Sequence, residues 1–125
     1  MSHFESESFA SYLGFRWDDE STIRLTVRPN LLNSVGRLLG PVAFAMVDYS
    51  MASALLGTLQ PGESMATTNI SINFLASTDT GDVVCTTHVD RRGRRAAFLT
   101  SEIRHEGRLL ATAIGTFAIL TARPR

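Results

Sequence analysis

Lysine is absent from the 125 residues, so all 12 basic side chains are arginine, set against 12 acidic ones. We read that bias as codon usage ahead of function, although guanidinium groups also suit bidentate phosphate contacts. With a formal net charge of zero, the chain has no general electrostatic attraction for nucleic acid, and none is expected as a partner. The one cysteine, Cys85, excludes an intramolecular disulfide and a cysteine-built zinc site. It also has no neighbouring histidine or glycine-rich nucleophile turn, so it reads as a small buried hydrophobe. The three histidines, His3, His88 and His105, show no metal-ligand spacing and no place for a triad base, so no metal is expected. Repeats and low-complexity tracts are missing as well, and the length predicts one domain over residues 1–125. The acidic first residues lack the basic start and apolar stretch of a signal peptide, which with the lone cysteine predicts a cytoplasmic protein.

Charge is scarcest in the middle of the chain. Between Arg37 and Glu63 the only formal charge is Asp48, inside the run Leu38-Leu39-Gly40-Pro41-Val42-Ala43-Phe44-Ala45-Met46-Val47-Asp48-Tyr49-Ser50-Met51-Ala52. The run nears membrane-spanning length, but Gly40-Pro41 opens it, Gly57 closes it and a carboxylate interrupts it, so a buried helix of a soluble protein is the better reading. A carboxylate in such surroundings pairs, shifts its proton affinity or does chemistry. Asp48 is therefore the first candidate for function, with a structural carboxylate bonded to Ser, Thr or backbone groups as the alternative.

What is present around this run predicts the order of elements. Phe9, Tyr12 and Leu13 have helical spacing and Gly14 follows as a stop, which gives a short helix over 6–13. Ile23, Leu25 and Val27 alternate with polar residues as a strand with one buried face, paired with 15–18. The central helix runs over about 41–56 with proline in its first turn, and being apolar nearly all round it should be buried on most sides. After a loop at 58–62, strands are predicted over 68–74, 82–90, 95–105 and 108–121 as a four-stranded antiparallel meander, with hairpins at 91–94 and 106–107. Antiparallel strands with one segregated helix make an α+β domain, a sheet wrapped around a central helix. Its uncovered face and edges predict self-association.

Gly40 lies at the start of the helix, where unpaired N–H groups and the positive dipole end suit a developing oxyanion. Its alternative reading is a turn glycine. Eight residues of helix separate it from Asp48, about 12 Å along the axis. If both act on one electrophilic carbon, they must come from two subunits, which predicts a site across a two-fold interface.

The stretch Asn33-Ser34-Val35-Gly36-Arg37-Leu38-Leu39-Gly40-Pro41-Val42-Ala43-Phe44-Ala45-Met46-Val47-Asp48 resembles the central motif of the hotdog-fold acyl-CoA thioesterases, in the phenylacetate-degradation-type subgroup. Gly14-Phe15-Arg16, residues 67–74 and Gly107-Arg108-Leu109-Leu110-Ala111-Thr112-Ala113 extend the likeness over most of the chain. The resemblance implies a hotdog fold and hydrolysis of an acyl-CoA or acyl-carrier thioester by a homodimer or dimer of dimers. It implies no cofactor beyond the coenzyme A of the substrate. It implies Asp48 as nucleophile or as general base on water, and Gly40 as the N–H donor to the thioester carbonyl. Asn33 would help place that carbonyl, and Thr67 would orient the water, with Thr68 as the neighbouring candidate.

One departure stands out. Where the motif has His-Gly-Gly this chain has Leu39-Gly40-Pro41, so the side chain beside the thioester donates no hydrogen bond. Loss of one such group lowers rates by a factor of about a hundred to a thousand. The sequence thus leaves open a non-catalytic acyl-CoA or acyl-carrier binding protein, and, last, a hotdog dehydratase or hydratase, a class that needs a histidine the central helix lacks. The basic hairpin Arg91-Arg92-Gly93-Arg94-Arg95 is placed like the turns that hold coenzyme A phosphates in the family, with Arg92 and Arg94 as the candidates. A solvated turn is its other reading. Trp17 and Phe15 either line the pocket or fill core, and Met46 and Met51 read as core.

Overall fold

In the computed structural model, which describes residues 3–121, a six-stranded antiparallel sheet curves around one long helix. Helix α1 (Ser8–Leu13) ends where Gly14 takes a left-handed φ of 89° and its N–H returns to the Ala10 carbonyl. Of the three helically spaced apolar residues only Leu13 is buried, joined by Ala10; Phe9 and Tyr12 are exposed. Strands β1 (Arg16–Asp19) and β2 (Thr22–Thr26) form the expected first hairpin. After a 3₁₀ turn (Pro29–Leu31) comes helix α2 (Gly40–Leu56), then β3 (Glu63–Phe74), β4 (Asp82–Arg92), β5 (Ala96–His105) and β6 (Arg108–Thr121).

The strand order is β1-β2-β4-β5-β6-β3, which corrects the four-stranded meander. Of the four strands of that meander, only β4, β5 and β6 are consecutive neighbours. β3 crosses to the far edge and pairs with β6, because alternation within residues 68–74 specifies a half-buried strand but not its partner. Both predicted hairpins form. Gly93 closes one by donating to the Ala96 carbonyl, and Glu106-Gly107 closes the other with both residues at positive φ (49° and 80°), the twist that two-residue hairpins favour.

The core lies between α2 and the concave face of the sheet. Met46, Val47, Met51 and Leu55 of α2 are buried against residues such as Ile23, Val83, Leu99 and Phe117. Gly115 of β6 lets the helix approach, since a Cβ there would collide with the Met51 sulfur. A chain of hydroxyls runs through this core: Ser50 Oγ donates to the Ser21 carbonyl (3.1 Å) and meets Thr87 Oγ1 (2.8 Å), which meets Ser101 Oγ (2.6 Å). Cys85 is buried beside it, and burial pushes its thiol up to about 12, so it is inert as a nucleophile.

A sheet can wrap only part of a helix. One arc of α2, including Pro41, Phe44, Ala45, Asp48 and Ala52, is not buried, while the rest of the helix is, in keeping with burial on most sides. The N-terminal segment covers one border of that arc. There Phe4, Trp17 and Tyr49 form an aromatic cluster, with Glu5 accepting from the Trp17 backbone N–H (2.8 Å) and Glu7 from the Tyr49 hydroxyl (3.0 Å). Phe15 fills core beneath them.

Candidate active site

Asp48 sits midway along α2, half-buried on the open arc. Thr67 Oγ1 of β3 donates to its Oδ1 at 2.7 Å, and Oδ2 has no partner among the described residues. The carboxylate is therefore neither fully buried nor unpaired. A β-bulge makes this contact. Pairing with β6 jumps from Thr67↔Phe117 to Asn69↔Thr116, leaving Thr68 as the extra residue. Met65 and Thr67 thereby share the inner face with Ile70 and Ile72 despite the change of parity. Unbroken alternation would have put Thr68 there, so the bulge decides for Thr67.

Tyr49, the next residue, keeps its phenol protonated to higher pH than usual. Burial is the main cause, followed by its bond to Glu7 and the negative charges of Glu7 and Asp48.

Gly40 is the first residue of α2, and its N–H has no acceptor among the described residues. Pro41 has no N–H, and those of Val42 and Ala43 both return to the Leu39 carbonyl (3.1 and 3.2 Å). The donor left at this helix start is thus the Gly40 N–H. A Cβ at Gly40 would stand in ordinary van der Waals contact with the Phe74 ring, at 3.5 Å. Gly40, Pro41, Phe44, Ile72 and Phe74 line an open apolar hollow of about 470 Å³. Sequence reading missed this hollow, which is framed by two exposed phenylalanines, Phe44 on α2 and Phe74 on β3.

Asn33 shapes the loop that leads to Gly40. Its side-chain oxygen accepts from the Val35 and Arg37 N–H groups, each at 3.0 Å, so its amide nitrogen is the free donor. Leu39 is the N-cap residue of α2 and packs its side chain partly against the core.

The basic turn divides in two. Arg92 is committed inward, to the Glu63 carboxylate, the Thr58 carbonyl (3.3 Å) and the Gly93 carbonyl (2.7 Å). Arg94 is exposed, and Arg91, Arg94 and Arg95 have no side-chain partner among the described residues. The histidines are structural. His105 Nδ1 donates to the Asp82 carbonyl (2.9 Å), and His88 pairs with Asp90 on the outer surface. Among the described residues no group of three His, Cys, Asp or Glu side chains could hold a metal, and no helix is long and apolar enough to cross a membrane.

The curved sheet around one helix is the hotdog fold. Residues 35–112 match the Thioesterase superfamily and the chain belongs to it, so hydrolysis of a thioester is its general chemistry. That span includes Gly40, Asp48 and Thr67. The chain is similar to a phenylacetic acid degradation-related protein of Ralstonia eutropha JMP134, at 30% identity and a TM-score of 0.80 over 90% of this chain and 89% of that one. The same fold recurs in thioesterase HI1161 of Haemophilus influenzae (22% identity, TM-score 0.87, 99% and 90% covered). It recurs again in protein BH2602 of Bacillus halodurans, solved with CoA (18% identity, TM-score 0.84, 90% and 75% covered).

Proposed function

We propose that the protein hydrolyses an acyl-CoA or acyl-carrier thioester without a metal, at a site shared by two copies of the chain. The observation that carries the reading is the separation of its two chemical halves. Asp48 is held by Thr67 with one oxygen free, and the Gly40 N–H lies unpaired about 12 Å away along the same helix, too far to act on the same atom. A second copy brings them together. The outer edge of β3, 12 residues long, carries no strand partner among the described residues, and the open arc of α2 adjoins it.

In this arrangement the thioester carbonyl oxygen accepts from Gly40 of one copy, and Asn33 supplies a further donor from its free amide nitrogen. Asp48 of the other copy either attacks the carbonyl carbon or takes a proton from a water that Thr67 Oγ1 accepts from. Either route passes through a tetrahedral oxyanion, which collapses to expel the thiolate. Water supplies the hydroxyl of the acid product and the proton of the thiol. Coenzyme A phosphates would meet Arg94 at the exposed turn, whereas Arg92 serves to hold the turn in place.

The apolar Leu39 keeps a second reading in play, a protein that binds the thioester without turning it over. A thiol-release assay over a panel of acyl-CoA substrates separates the two. Asp48→Asn is expected to lower kcat by about a hundred- to a thousandfold while retaining CoA-ester binding by calorimetry, and a metal chelator is expected to leave the wild-type rate unchanged. Tight binding with equal, background turnover by wild type and Asp48→Asn would establish the binding protein instead.

A further inference from the structure

Helix α2 has to present Asp48 at a fixed angle, yet its apolar residues do little to set its rotation. Val42, Ala43, Val47 and Leu55 are buried against the sheet while Pro41, Phe44, Ala45 and Ala52 lie on the open arc, so both sides are of one kind. A turn about the axis exchanges one apolar set for another, and the contrast of apolar and polar faces that orients an ordinary surface helix is missing. Two of the deepest side chains do not help. Met46 and Met51 are fully buried, and methionine is a flexible gap-filler that specifies a packing poorly.

The hydroxyl chain through the core supplies what packing does not. Ser50 is fully buried, and among the described residues it is the one buried side chain of α2 that is hydrogen-bonded to other elements. The direction of the chain follows from its end. A carbonyl only accepts, so Ser50 donates to Ser21, Thr87 donates to Ser50 and Ser101 donates to Thr87. Each hydroxyl donates once, and bonds arranged head to tail in this way strengthen one another. The Ser21 carbonyl also accepts from the Thr87 backbone N–H (2.8 Å), so Ser50 is tied where the β1–β2 turn meets β4.

Helix geometry links this anchor to the site. Residues two apart lie about 200° apart around a helix and about 3 Å apart along it, so Ser50 points at the sheet while Asp48 points out of the open arc. The Asp48 carboxylate stands about 6 Å from the axis, and a rotation of about 10° moves it by about 1 Å. A slip of that size costs up to about a hundredfold in rate. Thr67 aims the carboxylate directly, and Ser50 acts one step behind it, through the helix.

We propose that Ser50 is a positioning residue for the thioester hydrolysis: its bonds to Ser21 and Thr87 fix the rotation of α2 and thereby the aim of Asp48. The inference rests on Asp48 being the reacting carboxylate. Stability does not require the chain, because replacing every partner by an apolar group of similar shape is close to neutral. Ser50→Ala leaves nothing unpaired, since Thr87 keeps Ser101 and the Ser21 carbonyl keeps the Thr87 N–H. The triple variant Ser50→Ala, Thr87→Val, Ser101→Ala removes the hydroxyls altogether and still leaves that carbonyl its backbone donor.

Steady-state thiol release, read beside thermal melting, tests the role. Ser50→Ala is expected to lower kcat about tenfold or more with KM within about twofold of wild type. The triple variant is expected to melt near wild type and to remain as slow, a separation of rate from stability that a merely structural residue would not show. Val83→Ala opens a cavity in the same core and keeps the hydroxyls, so it is expected to melt lower than wild type with kcat within about twofold. With Asp48→Asn slow in the same assay, a wild-type kcat in Ser50→Ala or the triple variant, or an equal loss in Val83→Ala, overturns the positioning role and leaves the site as proposed. Asp48→Asn at the wild-type rate overturns the site and the positioning role together.

Discussion

At the scale of the residue, the site turns on how Asp48 is held. Its carboxylate is aimed by a single hydroxyl, and misplacement of a reacting group by an ångström costs up to about a hundredfold in rate. Thr67→Val is thus expected to lower kcat toward that limit with KM little changed, and Thr67→Ser to restore most of it, both read from steady-state thiol release. Asp48 was legible in the sequence because it alone carries charge between Arg37 and Glu63. Its hydroxyl partner was less so, because the choice between Thr67 and Thr68 depends on a bulge that no local pattern encodes.

Glu63 offers a second residue-scale test. It accepts from the Gln60 N–H (2.8 Å) and from Arg92, and chiefly the former, with Arg92 adding to it against the opposing effect of burial, holds its carboxyl below the usual 4.5. A depressed folded-state value contributes stability that is present above the unfolded value and lost as pH falls through the folded one. Glu63→Gln should therefore melt below wild type at neutral pH, with the difference shrinking as pH is lowered from about 4.5.

At the scale of the element, α2 and β6 fit together through Gly115. A larger residue there meets Met51 inside a filled core, and overpacking of this kind costs about 1–3 kcal/mol. Gly115→Val is expected to lower stability by that amount in denaturant titration, with Met51→Ala recovering part of the loss in the double variant. Element types and hairpins could be read from the sequence because periodicity and turn residues are local. The place of β3 beside β6 could not, since Thr67↔Phe117 is a pairing across 50 positions. Nor could the position of the open arc of α2, which is built largely from the same residue types as its buried side.

At the scale of the molecule, the proposed function gives each copy two half-sites that both face the same partner. Gly40→Pro removes the N–H donor, Asp48→Asn the carboxylate, and each variant alone should fall to about a hundredth of the wild-type rate or less. Mixed and allowed to exchange subunits, half of the pairs are hybrid, and each hybrid has one native site beside one doubly defective site. Activity should then return to about a quarter of wild type, whereas a site contained within one chain would stay silent.

The N-terminal cluster has a practical consequence. Trp17 is the only tryptophan, its ring lies 6.0 Å from that of Tyr49 and 6.5 Å from that of Phe4, and Tyr49 directly follows Asp48. The chain therefore contains its own fluorophore, with an energy donor attached to α2. Because Phe4 stacks on Trp17, any event that lifts the first residues from this cluster should appear as a change in Trp17 emission, with no label and no loss of function required to see it.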